Sequence, residues 1–290
     1  MKDRLRKFRV SVRAGTVARV LIWVAVGMLL ATPPSRPWPV EVGVRADSDT
    51  TVIVTWHSHE ENNGWGCGRT EPPPYDSFEL LFRPLGESSW TAVGRTRDTF
   101  MSHDPHYRVG RYSVLGWRGG EEDWMPDGFY ASTEPLHFGP VRLHEVSTGD
   151  TSAIGFLQYP WNGRYVFVMN DSTNWSYPDA YVTDYKVGSP GPLLIASPSV
   201  ALSDPGAHVH NATWHSTWFS APLPDERSLV PSWEPFTWAQ VCSLPYTPLL
   251  VACRSEWNHY ALIKVLSREP SSIELEVWYQ QTDGLRLTGH

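Results

Sequence analysis

Long apolar runs are almost missing from this sequence of 290 residues: the longest uninterrupted one, Val20 to Ala31, has only 12. A membrane-spanning helix needs about 20, so no segment is expected to cross a bilayer as a helix. Positive charge is also scarce once the first 31 residues are set aside. They hold seven of the 24 basic residues and one of the 31 acidic ones, which leaves a remainder of about −13. Nucleic-acid binding requires a basic surface to displace counterions, and it is excluded as the leading activity. Catalytic motifs are absent too. There is no Gly-x-Ser-x-Gly elbow, no His-Glu-x-x-His and no phosphate-cradling glycine loop. Glu121, Glu122 and Asp123 are adjacent acids in a loop, not a carboxylate pair held apart across a cleft. The sequence is therefore expected to be non-enzymatic, and no cofactor is expected.

What is present begins with a leader. Lys2, Arg4, Arg6, Lys7, Arg9, Arg13 and Arg19 precede the apolar run, and Pro33 and Pro34 follow it. This is the layout of a cleavable signal peptide over residues 1–31. It implies a secreted or extracytoplasmic protein, with membrane contact only through that segment if it stayed uncleaved. Proline is abundant, 25 residues recurring from Pro33 to Pro270. Interior prolines break long helices, so short strands joined by loops are expected throughout.

Those strands are legible at once. Val40, Val42 and Val44 alternate with polar neighbours, as do Val52, Val54 and Trp56. Further runs follow at Phe78–Arg83, Trp90–Val93, Tyr112–Trp117 and Phe129–Phe138. Period-two alternation with turn residues at short intervals points to an all-β sandwich. Pro-x-Val-x-Val, Val-x-Trp56, Phe-x-Leu-x-Phe-Arg83 and Tyr-x-Val-x-Gly-Trp117 together resemble the fibronectin type III family over residues 38–139. The resemblance implies a core tryptophan at Trp56 and a tyrosine corner at Tyr112. His106 stands where members of that family usually carry leucine.

Residues 140–290 are expected to form a second, loop-rich antiparallel β domain. Its candidate strands are Ile154–Gln158, Tyr165–Met169, Ala180–Val187, Leu249–Arg254, His259–Leu266 and Ile273–Tyr279. The closing pair of runs is similar to the C-terminal hairpin of secreted bacterial β proteins that include the HmuY-like haem binders. The likeness brings no ligand residues with it. Cys242 and Cys253 flank the turn around Tyr246–Leu249 and would face each other across a hairpin, where Cβ atoms come within bridging distance. A disulfide between them is expected in an oxidising compartment, leaving Cys67 unpaired in its own chain.

Two residue groups could carry function. His208, His210 and His215 could ligate zinc or haem if the segment is extended, since imidazole suits both. The wider surplus is 15 tryptophans. Trp56, Trp90, Trp117 and Trp257 are assigned to core packing, whereas Trp161, Trp175, Trp214, Trp218, Trp233 and Trp238 fall in loops or beside prolines. Such rings can stack on sugars or bury an apolar anchor. The sequence thus implies recognition of an extracellular protein or glycan through tryptophan-bearing loops, with haem or metal binding as the alternative.

Overall fold

The computed structural model describes residues 38–59, 75–123, 130–156, 165–174, 176–185, 191–208, 214–223, 229–235 and 237–289. Their regular structure is almost entirely antiparallel β, as expected, with three short 3-10 turns. All the sheets below belong to one unit, Pro39–His57 with Tyr75–His290. The other unit, Met1–Trp38 with Ser58–Pro74, falls almost wholly outside the described residues, as do the leader and Cys67.

Eight strands come first: β1 (Trp38–Ala46), β2 (Val52–His59), β3 (Ser77–Pro84), β4 (Thr91–Thr96), β5 (Phe100–His103), β6 (Gly110–Arg118), β7 (Glu121–Asp123) and β8 (Ala131–Ser132). They make a three-stranded sheet, β1-β2-β5, and a second sheet ordered β4-β3-β6-β7 with β8 also on β6. The alternation read from the sequence decides which side chains meet between them. Val52, Val54 and Trp56 of β2, Phe78, Leu80 and Phe82 of β3, and Tyr112 and Val114 of β6 share one core. Trp56 is fully buried with its ring 5.6 Å from Phe78. The buried Tyr112 hydroxyl shares a 3.0 Å hydrogen bond with His103 Nδ1.

Ten strands follow: β9 (Leu136–His144), β10 (Ala153–Ile154), β11 (Val166–Phe167), β12 (Ala180–Thr183), β13 (Leu194–Ala196), β14 (Thr217–Phe219), β15 (Val241–Ser243), β16 (Leu249–Ser255), β17 (Tyr260–Arg268) and β18 (Ser272–Tyr279). They form two five-stranded sheets, β11-β10-β12-β13-β15 and β14-β16-β17-β18-β9. Ile154, Val182 and Ile195 of the first meet Val251, Ile263, Leu275 and Val277 of the second in a common core. β18 buries Ile273, Leu275, Val277 and Tyr279, the face its alternation marks. The outer faces are covered as well. Trp214, Phe167, Met169 and Tyr181 pack together on one side, and Val230, Trp238, Leu250 and Leu262 on the other. β12 is consequently buried at all four positions, and such strands read as apolar runs without alternation.

The Cys242–Cys253 hairpin does not form. Cys242 pairs in register with Ile195 on β13, and Cys253 with Phe219 on β14 and Ala261 on β17. Pro245 and Pro248 lack the N–H groups that a hairpin ladder would need there, and the chain passes from one sheet to the other. Both cysteines are free, buried thiols in the core between the sheets.

The C-terminal tail returns to the front sandwich. Leu285 and Leu287 are fully buried in its core, beside Val52, Trp56 and Val109. Gln280 fixes the approach, donating from Nε2 to Thr133 O at 3.0 Å and Leu287 O at 2.6 Å, while its Oε1 accepts the Thr282 N–H at 2.9 Å.

Candidate functional site

β16 and β17 are joined by a tight turn, and its tip carries Trp257. The turn is closed by Ser255 N–H to His259 O at 2.9 Å and Asn258 N–H to Ser255 O at 3.1 Å. Asn258 takes a left-handed φ of 64°, a conformation asparagine tolerates better than most residues. Its Oδ1 accepts from Arg254 Nε at 3.0 Å and Nη2 at 2.8 Å. The Arg254 guanidinium lies 4.4 Å over the Trp233 ring, and Trp233 stands edge-on to Trp218 at 6.1 Å. The tail adds a further bond, Gly284 N–H to Asn258 O at 2.9 Å.

Glu256 holds the other side of the tip. Its N–H donates to Ser216 O at 2.9 Å and its Oε2 accepts the Ser216 N–H at 2.8 Å. Oε1 lies 2.9 Å from His215 Nδ1, and His215 Nε2 faces Ser176 O at 3.2 Å. Both ring nitrogens of His215 are therefore engaged. On this fixed base the Trp257 ring is 54% exposed, edge-on to His215 at 5.4 Å. The assignment of Trp257 to core packing is thus corrected: it lies in the turn between two strands and is largely exposed. Trp90 and Trp117, assigned to the core with it, are only half-buried, the first under Arg83 and the second under Arg95.

Beneath the tip lies a buried carboxyl. Asp179 Oδ2 accepts the Phe156 N–H at 2.7 Å. Burial pushes its pKa up to about 6, the Phe156 N–H and nearby His215 act the other way, and Glu256 adds to the rise. Burial also raises the neighbouring thiols, Cys242 to about 12 and Cys253 well above the ordinary thiol range.

The residues singled out from sequence are spread over several surroundings. Trp214 is 7% exposed, in the outer cluster on the β10–β13 sheet. Trp218 and Trp233 are half-buried over the outer face of β16 and β17. Trp161 and Trp175 lie outside the described residues, as does His210. His208 is exposed, with its backbone N–H donated to Asn170 Oδ1 at 2.8 Å. Among the described residues no three His, Cys, Asp or Glu side chains are grouped to hold a metal ion, and no helix is long and apolar enough to cross a membrane. Trp257 had a readable signal: the expected strands Leu249–Arg254 and His259–Leu266 leave it in the connecting turn.

The described residues define an all-β protein of stacked antiparallel sheets. No family profile matches the chain, and no curated protein matches it. Among solved structures, a DUF4466 family protein from Parabacteroides merdae ATCC 43184 is similar at 8% identity and a TM-score of 0.37, over 86% of this chain and 96% of that one. A structure of titin kinase and its flanking domains is similar at 9% identity and a TM-score of 0.27, over 84% of this chain and 37% of that one. Neither is an HmuY-like haem binder, and likenesses this loose carry no argument about function.

Proposed function

We propose that the chain is an exported, non-enzymatic recognition protein that engages an extracellular protein partner through the tip bearing Trp257. The basic leader and its short apolar run support export. The two antiparallel sheets packed around Trp56 and Tyr112 support reading the front part as fibronectin type III-like, a fold used as an interaction module; that support is by fold analogy. The observation that carries the proposal is Trp257 itself. A large apolar ring is held in solvent by at least seven hydrogen bonds to its turn. Exposed, pre-positioned tryptophan is the side chain most enriched at binding hot spots, because it loses little entropy on contact and buries much area.

The test compares wild type with Trp257→Ala for binding to immobilised extracellular proteins and, in parallel, to a glycan panel. Loss of a hot-spot tryptophan weakens binding by at least ~10-fold. Equal binding by a folded Trp257→Ala protein would contradict the proposal, and loss confined to the glycan panel would replace the protein partner with a carbohydrate.

A further inference from the structure

His215 is held by two oxygens that can only accept. Its Nδ1 lies 2.9 Å from Glu256 Oε1, and its Nε2 lies 3.2 Å from the Ser176 carbonyl oxygen. Both acceptors are fixed by bonds of their own. Glu256 Oε2 accepts the Ser216 N–H at 2.8 Å. Ser176 belongs to a short segment anchored by Tyr177 N–H to Asn174 O at 3.0 Å and Asp179 N–H to Ile154 O at 2.7 Å. A neutral imidazole has one donor nitrogen and one acceptor nitrogen, whereas an imidazolium has two donors. Both contacts are therefore hydrogen bonds only when the ring carries two protons. A neutral ring sets a nitrogen lone pair against one of the two oxygens.

The charge around the ring agrees with that. Glu256 faces it from the turn between β16 and β17, and Asp179 lies beneath, close enough for its charge and that of His215 to act on each other. Cys253 and Tyr279 adjoin Asp179 in turn. His259, on the same hairpin, packs instead against the Tyr279 ring at 5.5 Å and senses Asp283. On the other side of the tip, the bonds join backbone groups, the Asn258 amide and the Arg254 guanidinium. None of those changes protonation near neutral pH. His215 is thus the titratable group in ring contact with Trp257.

We propose that His215 is a proton-dependent brace for Trp257, so that the tip is rigid when the imidazole carries two protons and loosens when it loses one. Histidine side chains change charge between about pH 5 and 8. The direction follows from the two acceptors: protonation completes both bonds, and deprotonation breaks one. A preorganised ring gives up less freedom on contact, so recognition through the tip should be stronger at the acidic end. Asp179 sets where the change falls. Its carboxylate favours the charged ring, and removing it should move the transition to lower pH. This inference rests on the reading of Trp257 as the contact and adds the control of that contact.

The test follows the Trp257 indole N–H by nitrogen NMR relaxation from about pH 5 to about pH 8, with no partner present. Trp257→Phe assigns the signal. The expected order parameter is about 0.85 at the acidic end, as for rigid backbone, and below about 0.6 at the other. His215→Gln should abolish that dependence, and Asp179→Asn should shift its midpoint to lower pH. In wild type, the nitrogen shifts of the His215 ring should show both nitrogens protonated at the acidic end. Near-ultraviolet circular dichroism checks that the variants are folded. Constant order in wild type, a transition that persists in folded His215→Gln protein, or a singly protonated ring at the acidic end would overturn the proposal. Because no partner is in the sample, these outcomes bear on the brace alone. The contact itself fails separately, through equal binding by Trp257→Ala.

Discussion

Trp257 stands edge-on to His215, ring centroids 5.4 Å apart and planes inclined by 64°. His215 is in turn held by Glu256 and by the Ser176 carbonyl. Under the proposed function, this exposed indole on a turn braced from both sides serves contact with a partner more than the stability of its own fold.

Stability should divide the tryptophans accordingly. Trp257→Ala should change unfolding free energy by no more than about 0.5 kcal/mol, as for an exposed site. Trp56→Ala should cost about 3–5 kcal/mol, because it empties the centre of the front core. Urea denaturation of the two variants checks this, and a large loss at Trp257 would mean that its ring is packed.

The thiols should be silent in the native state. In a Cys67→Ser protein at pH 8, a thiol reagent should find none reactive before unfolding, because burial holds Cys242 and Cys253 in their protonated, inert form. Two should react after denaturation without reductant. Zero would indicate a disulfide that the structure does not contain.

Asp179 should give the molecule an acid-favoured contribution. Its folded pKa of about 6 lies above the ordinary 3.8, so the folded state holds the proton more tightly than the unfolded one. Stability from this group falls as pH rises from about 4 to about 6 and is level above that. The swing is on the order of 3 kcal/mol. It should be read as the difference between wild type and Asp179→Asn across pH 4–7. A constant difference over that range would show that Asp179 does not titrate there.

The tail should stabilise the front sandwich from a distance in sequence. Leu285→Ala and Leu287→Ala should each cost about 2–5 kcal/mol. Hydrogen exchange should show the loss at Val54 and Leu80, which share their core. Protection changes confined to the tail would contradict this packing.

What could be read in advance followed from one-sided burial. β2 and β18 alternate because each faces one core along most of its length, so Val52, Val54, Trp56, Ile273, Leu275 and Val277 were all legible. β12, β16 and β17 were located but not oriented, since clusters on both faces of their sheets remove the alternation. The cysteine pairing misread a crossover as a hairpin. Constant-sum facing holds only if both strands stay in one sheet, and the prolines at 245 and 248 argued otherwise. Tryptophan count alone could not separate Trp214, which fills an outer cluster, from Trp257, which stands exposed on a turn. Long-range packing decides that difference, as it does the return of Leu285 and Leu287 to a core begun more than 200 residues earlier.

The most direct measurement places a photo-crosslinking side chain at position 257 and, as a comparison, at Phe100, which is equally exposed on the front sandwich. Each purified protein is irradiated with the extracellular protein fraction of the source organism's culture. The account predicts one discrete, saturable product from position 257, abolished by excess unmodified protein and absent from position 100. Matching products from both positions, or none from 257 under conditions where the unmodified protein binds, would contradict the assignment of Trp257 as the contact.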